Sequence, residues 1–181
     1  SFIPNMVMLI LYRSIIWWLC NYNLDAQSSC SNTYSVDLST LSIIAITGTP
    51  GVGKTTIVEL FSDANFTILS VKDLAKQYDC EGDFDEATQS IDIDIHRLAE
   101  QFEADSQGYT IVDGHLSHLL DVDAIIILRC KPSILQERLA KRGYTEQKIT
   151  ANVEWEMIAG TWSEIIEFEL DQSILELDTT N

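Results

Sequence analysis

The fold of this chain is decided by residues 42–56, SIIAITGTPGVGKTT, in which a glycine-rich turn follows a short apolar run. The β-branched run is typical of a buried strand. The turn, GTPGVGKT at residues 48–55, fits the pattern G-x-x-x-x-G-K-[ST] in full. Because the pattern follows a predicted strand and opens a predicted helix, it indicates a phosphate-binding loop (P-loop) rather than a chance match.

The residue types of this loop suit a nucleoside triphosphate. Glycines permit backbone angles at which successive N–H groups point at phosphate oxygens, and the next helix presents its positive N-terminus. The ammonium of Lys54 is predicted to reach the β- and γ-phosphates, and the hydroxyl of Thr55 is predicted to bind Mg²⁺. We therefore expect a site for a nucleotide and a magnesium ion.

Four further apolar runs are predicted to be strands, and they alternate with predicted helices. The predicted strands cover residues 42–47, 66–69, 109–112, 124–128 and 173–177. The predicted helices cover residues 54–64, 71–78, 96–102, 132–141 and 145–169, with Gly160 as an interruption of the last. This alternation predicts a three-layer α/β domain around a five-stranded parallel sheet.

Two segments are predicted to lie outside the core. Residues 79–94, DCEGDFDEATQSIDID, are acidic and lack a long apolar run, so we expect a mobile excursion. Residues 1–40 combine an apolar run, residues 7–20, with a polar Ser/Asn-rich stretch. The run is shorter than the ~20 residues that span a bilayer and contains Arg13, which makes spanning unfavourable. A signal-like segment, a short interfacial anchor and sequence upstream of the true start are the alternatives; the last is favoured because no A-x-A-like cleavage site follows, and no membrane association is expected. The predicted domain covers residues 41–181.

Basic residues are concentrated in one part of a chain that is otherwise acidic. The 28 acidic and 11 basic residues give a net charge of −17, which disfavours direct binding of nucleic acid. Residues 129–148, however, hold six of the basic residues and only two acidic ones, so they carry +4 and the remainder −21. The four cysteines show no zinc-ligand spacing, which favours a reduced, cytoplasmic chain.

Four residues outside the loop are candidates for chemistry on phosphate. Asp113 directly follows a predicted strand, where a carboxylate would hold Mg²⁺, although an Asp-Gly turn is the alternative. His115 would orient water or a substrate oxygen, or cap the loop. Arg138 and Arg142 are four residues apart on a predicted helix and would stabilise a transferring phosphoryl group, unless they are solvated surface arginines.

Four segments in this order resemble the adenylate kinase isoenzyme 6 type, a family of small archaeal and eukaryotic nucleotide kinases. They are GTPGVGKTT at residues 48–56, DGH at 113–115, LR at 128–129 and RLAKRGYTEQKITANVE at 138–154. GHLSHLL, residues 114–120, is most similar to archaeal members. The resemblance implies a P-loop kinase fold with a monophosphate-binding excursion and a short lid. Such members continue with another helix after the fifth strand, which we expect to be absent here.

The resemblance also implies roles for residues of this chain. ATP would be bound by Gly51, Val52, Gly53, Lys54, Thr55, Thr56 and Arg138. Catalysis would use Lys54, Asp113, His115, Arg138 and Arg142, and Mg²⁺ would be held by Thr55 and Asp113. The monophosphate substrate would be bound by Asp73 and Lys76, where the family often has arginine in place of the lysine. A lysine lacks the two-pronged guanidinium, so weaker AMP binding is expected.

The implied activity is transfer of a phosphoryl group from ATP to AMP, giving two ADP, together with ATP hydrolysis. One alternative is an ATPase that assists maturation of the small ribosomal subunit by engaging a basic ribosomal protein. Another is a related small-molecule P-loop kinase. A GTPase is disfavoured because no N-K-x-D motif is present.

Overall fold

A parallel sheet forms the centre of this computed structural model, which describes residues 42–61, 66–85, 90–103 and 108–180. Within those residues the sheet has five strands, which are β1 (Ile43–Thr47), β2 (Phe66–Ser70), β5 (Tyr109–Asp113), β6 (Ala124–Arg129) and β7 (Ser173–Asp178). Across the sheet they lie in the order β2-β5-β1-β6-β7. All neighbours pair in parallel, so the predicted α/β fold is confirmed.

Helices lie between the strands and cover the sheet. They are α1 (Lys54–Glu59), α2 (Val71–Gln77), α3 (Ile95–Gln101), α4 (Pro132–Lys141), α5 (Glu146–Met157) and α6 (Gly160–Glu167), with a 3₁₀ turn at Ser117–Leu119. Ala45, Ile125 and Ile127 pack on one face with Leu74 of α2 and Leu98 of α3. The central strands are buried on both faces, which explains why their sequences are continuously apolar.

The strand register brings several chain segments to one edge of the sheet. Ile46 of β1 is paired with Asp113 of β5, and Asp113 is paired with Ser70 of β2. Thr47 of β1 is paired with Ile127 of β6. The segments that follow β1, β2 and β5 therefore begin side by side, at the carboxyl edge where open α/β sheets bind ligands.

The acidic segment at residues 79–94 differs from its prediction, because it contains a β-hairpin. Strands β3 (Glu81–Asp85) and β4 (Ser90–Ile93) pair antiparallel, with Phe84 opposite Ile91. Most of the hairpin's described residues are exposed, so the hairpin lies outside the core as expected, whereas Cys80 just before it is buried in the core. The acidic composition of the segment predicts its exposure. The composition does not predict the hairpin, because strand pairing uses backbone hydrogen bonds that do not depend on side-chain charge.

The helix predicted over residues 145–169, with an interruption at Gly160, is divided into two helices. Helix α5 ends at Met157 and α6 begins at Gly160, and between them Ala159 has a left-handed backbone with φ 53°. The break therefore precedes the glycine that was expected to cause it. Gly160 instead allows close packing, because a Cβ atom there would lie 2.0 Å from the indole ring of Trp155.

Two other predictions reach beyond the part of the chain that the structure describes. The extension at residues 1–40 lies outside the described residues, as does the end of the helix predicted for residues 54–64. In the described part of that helix, α1 ends at Glu59. None of the helices in the described ranges combines the length and the apolar character needed to cross a bilayer.

Candidate active site

A cleft of about 480 Å³ lies where β1, β2 and β5 end. The P-loop, the start of α2, the hairpin, the end of α4 and the D-x-H segment, which is Asp113-Gly114-His115, all contribute to it. The lining residues are Pro50, Gly51, Gly53, Lys54, Thr55, Ser70, Val71, Lys72, Glu81, Phe84, Ser90, Ile91, Ile93, Asp113, Gly114, His115 and Arg142. The structure thus brings together Lys54, Thr55, Asp113, His115 and Arg142, which the sequence predicted as site residues.

Lys54 is folded against the loop that precedes it. Its Nζ donates to the backbone oxygens of Gly48, at 2.6 Å, and Thr49, at 3.1 Å. Burial lowers the pKa of Lys54 to about 8, with a smaller contribution in the same direction from Arg142, while Asp113 opposes the shift. Lys54 is therefore still mostly protonated at pH 7 and carries a positive charge at the cleft.

The carboxylate of Asp113 suits a metal ion. Its Oδ1 atom is buried and has no hydrogen-bond partner among the described residues. Burial raises the pKa of Asp113, and the positive charge of Lys54 opposes this shift. The exposed hydroxyl of Thr55 lines the same cleft. Mg²⁺ prefers oxygen ligands, so an unpartnered carboxylate oxygen and a hydroxyl fit this ion.

His115 presents a neutral imidazole to the cleft. The residue is exposed at the surface of the cleft, but desolvation of its ring there lowers its pKa to about 4, and the charge of Lys54 acts in the same direction. Its backbone oxygen accepts a hydrogen bond from Thr47 Oγ1 at 3.0 Å, which ties the D-x-H segment to the end of β1. At neutral pH a ring nitrogen of His115 is therefore able to accept a proton or a hydrogen bond.

His118 belongs to a different environment, the buried 3₁₀ turn. Its Nδ1 atom lies 2.9 Å from Thr47 Oγ1, and its Nε2 atom lies 3.1 Å from a carboxylate oxygen of Glu164 in α6. Both ring nitrogens thus have protein partners, and the side chain is fully buried. His118 holds α6 against β1 and does not line the cleft.

The two arginines that the sequence paired are separated by the structure. Arg142 lines the cleft, as expected. Arg138 does not, because its Nη2 donates to the backbone oxygen of Thr179 at 2.7 Å and its Nη1 lies 3.4 Å from that of Val52. Arg138 thus binds main-chain oxygens of the P-loop and of the segment after β7, and its contact with ATP stays a prediction. Val52 itself is fully buried.

The two residues predicted to bind the monophosphate lie outside the lining of this cleft, and their role stays a prediction. Asp73 and Lys76 on α2 are exposed and do not line the cleft, whereas Lys72 does. Lys72 was missed because the resemblance pointed further along the helix. Its position is nevertheless informative, since residues that directly follow a parallel strand lie in the ligand crevice. Thr56, predicted to contact ATP, is exposed on α1 and lies outside the cleft lining.

The comparisons with known proteins agree with this geometry. Residues 44–159 match a family model described as an AAA domain. A protein of Pyrococcus abyssi named "Putative adenylate kinase" is 40% identical over 141 residues, which are 77% of this chain and 76% of that protein. A protein of the same name from Methanocaldococcus jannaschii is 42% identical over 142 residues, 76% of this chain and 77% of the relative.

The chain belongs to this family of small archaeal-type P-loop kinases. A third member, from Archaeoglobus fulgidus, carries the same name and is 40% identical over 138 residues, 76% of this chain and 73% of the relative. The resemblance to archaeal P-loop nucleotide kinases is thus confirmed. In a P-loop nucleotide kinase the cleft at the carboxyl edge is the place for the phosphate groups.

Proposed function

We propose that this P-loop kinase transfers the γ-phosphoryl group of ATP to a nucleoside monophosphate, chiefly AMP, and forms two ADP. In this reaction the bond from the γ-phosphorus to the β-phosphate oxygen breaks, and a bond to an oxygen of the AMP phosphate forms. The observation that supports it is a single cleft with cationic groups from separate elements, Lys54 and Arg142 on one part and Lys72 on another.

The spacing of these cations suits two phosphate-bearing ligands. Lys54 follows β1 and Lys72 follows β2, and in the sheet these two strands are separated by β5. Neighbouring strands lie about 4.8 Å apart, so the two segments begin roughly 10 Å from each other. A triphosphate at the P-loop therefore leaves room for a monophosphate that is neutralised by Lys72.

The hairpin supplies an apolar surface for the acceptor. Phe84 is 60% exposed and Ile91 is 41% exposed, yet both line the cleft and are paired across β3 and β4. An exposed aromatic ring beside an aliphatic side chain fits the flat face of a nucleobase. The acceptor would then be held by its phosphate at Lys72 and by its base at the hairpin.

The residues near the loop provide charge and orientation for the transfer. Lys54 and Arg142 would stabilise the negative charge that develops on the transferred phosphoryl group. Phosphoryl transfer depends on positioning and charge stabilisation more than on a strong base. Thr55 and Asp113 would hold Mg²⁺, which when bound neutralises charge on the phosphate oxygens. The neutral His115 would donate a hydrogen bond from its ring N–H to the attacking phosphate oxygen, or accept one from water.

A coupled assay tests the proposal directly. Purified protein is mixed with Mg-ATP, with and without AMP, and both ADP and free phosphate are measured. ADP formation that requires AMP and releases no phosphate supports the kinase. AMP-independent phosphate alone would show a hydrolase, and the absence of both products would contradict the enzymatic proposal.

Replacing Lys72 with alanine is expected to raise the KM for AMP roughly 10-fold, because a charge-assisted contact to phosphate is lost. The KM for ATP should remain within about twofold, since Lys72 lies on the α2 side of the cleft. Lys76→Ala is the matched control, since it removes the same charge from the same helix at an exposed position outside the cleft. If Lys76→Ala raised the KM for AMP more than Lys72→Ala, the prediction from the resemblance would be right.

ATP hydrolysis is a second candidate activity, and the state of His115 favours it. An uncharged imidazole in the cleft, with its pKa lowered to about 4, is available to orient water. His115→Ala is expected to lower AMP-independent phosphate release roughly 10-fold or more, while the Kd for Mg-ATP changes by less than about threefold. The control is His96→Ala, which removes an exposed histidine of α3. Equal losses of hydrolysis and of ATP affinity would refute the role of His115.

A further inference from the structure

A buried carboxylate lies behind the P-loop and takes no part in the transfer proposed for the cleft. Glu156, in the last turn of α5, is only 3% exposed. Its Oε1 accepts hydrogen bonds from Arg129 Nε at 2.7 Å and from the backbone nitrogen of Cys130 at 3.0 Å. Its Oε2 accepts a hydrogen bond from the hydroxyl of Thr49. Both oxygens are satisfied, so the buried group is held in one position.

The contact between Glu156 and Thr49 connects the buried carboxylate to Lys54, the lysine at the cleft. Thr49 is 1% exposed, and its backbone oxygen accepts from Lys54 Nζ at 3.1 Å and from Val52 N at 3.3 Å. The residue whose hydroxyl is fixed by Glu156 thus closes the turn of the P-loop and holds the Lys54 ammonium. A shift of Thr49 would move both the turn of the P-loop and the Lys54 ammonium.

Glu156 is itself fixed to the sheet, so it provides a firm anchor. Arg129, at the end of β6, contacts the Glu156 side chain through Nε and its backbone oxygen through Nη2 at 2.8 Å. The Nη1 atom of Arg129 lies 3.6 Å from Glu176 of β7. The last turn of α5 is therefore fixed to two strands of the sheet.

We propose that Glu156 is a positioning residue, which through the Thr49 hydroxyl holds the P-loop in the shape that presents Lys54 to the triphosphate. Glu156 does not line the cleft, so it acts through Thr49 rather than on the nucleotide. This inference rests on the proposed function, because it assigns Lys54 to a bound triphosphate.

The test compares two substitutions at Thr49 in the full chain. Thr49→Val removes the hydroxyl at nearly constant volume and leaves the contacts between Arg129 and Glu156 in place. It is expected to lower kcat roughly 10- to 100-fold and to weaken Mg-ATP binding in calorimetry, with the KM for AMP within about twofold. Thr49→Ser restores a hydroxyl and is expected to recover most of the loss.

A second pair of variants addresses the carboxylate. Glu156→Gln is expected to reproduce the loss seen in Thr49→Val, because a neutral amide is a weaker acceptor for both Thr49 and Arg129. Glu154→Gln makes the same change at an exposed position on the same helix and should match the wild type. If Glu156→Gln fails to fold, the results for Thr49→Val and Thr49→Ser decide whether the Thr49 hydroxyl positions the P-loop.

The outcomes separate this inference from the proposed function. Wild-type kcat and Mg-ATP affinity in Thr49→Val, or equal losses in Thr49→Val and Thr49→Ser, would overturn the role of Glu156. A wild-type protein that binds Mg-ATP but forms no AMP-dependent ADP would overturn the proposed kinase, and Mg-ATP binding by the variants would still decide the inference. A wild type without Mg-ATP binding would overturn both.

Discussion

Replacing Lys54 with methionine is expected to lower ATP turnover roughly 100-fold or more, whichever phosphate acceptor is used. Lys54 is the cleft cation that the P-loop itself supplies, and its ammonium is already held at the loop by the carbonyl oxygens of Gly48 and Thr49. Methionine keeps an unbranched side chain of similar length but removes the charge. The measurement is the rate of ADP formation at saturating Mg-ATP, together with the Kd for Mg-ATP.

The stability of the same variant provides an internal check on folding. Burial lowers the pKa of Lys54 to about 8 from 10.5, so between these values the folded state binds fewer protons than the unfolded state. The free energy of unfolding of the wild type, relative to that of Lys54→Met, therefore rises as the pH increases from about 8 to 10.5. Below about pH 8 Lys54 is charged in the folded state, and the free-energy cost of burying its charge is greatest there. Lys54→Met should consequently show no loss of unfolding free energy at pH 7.

A matched control for charge is Lys141→Met, which removes an exposed lysine from the end of α4. This variant should retain wild-type turnover. Turnover within about threefold of wild type in Lys54→Met itself would contradict the assignment of Lys54 to the triphosphate.

Replacing Gly48 with alanine is expected to lower the free energy of unfolding by about 3 kcal/mol or more, or to prevent folding. Gly48 has φ 132°, and a Cβ atom there would lie 2.3 Å from the backbone oxygen of Leu128 in β6. Backbone in a central strand has little freedom to move, so the loop and the strand would have to separate. Urea unfolding followed by circular dichroism measures the change.

Gly108→Ala distinguishes the steric clash expected in Gly48→Ala from the strain of a positive φ angle, which both variants share. Gly108 has nearly the same angle, φ 134°, but none of the residues that the structure describes comes within 4 Å of a Cβ atom at that position. Its replacement should cost only the strain of the angle, about 1–2 kcal/mol. Equal destabilisation in the two variants would show that contact with β6 is unimportant.

The fold and the loop side of the cleft could be predicted from sequence because their signals are local. Apolar runs identified the five strands, and the motif at residues 48–55 identified the loop between β1 and α1. Asp113 was recognised because it directly follows a predicted strand. The carboxyl ends of parallel strands meet at one edge, so this position alone places the carboxylate near Lys54.

The remaining parts of the site depend on contacts that no local pattern encodes. Glu156 is one of several acidic residues on α5, and only the fold shows that it is buried against Thr49 and Arg129. Arg138 and Arg142 share a helical spacing, yet Arg138 is held by backbone oxygens near the end of β7. Helical spacing predicts which side chains share a face, but not what that face meets.

The hairpin of β3 and β4 has an evolutionary consequence. Within the described residues these strands pair only with each other and form a sheet separate from the central one. Phe84 and Ile91 can thus be exchanged without disturbing the hydrogen bonds that hold the P-loop strand. Under the proposed function, related chains could therefore differ in acceptor preference through these two side chains while they keep the hydrogen bonds of the P-loop strand.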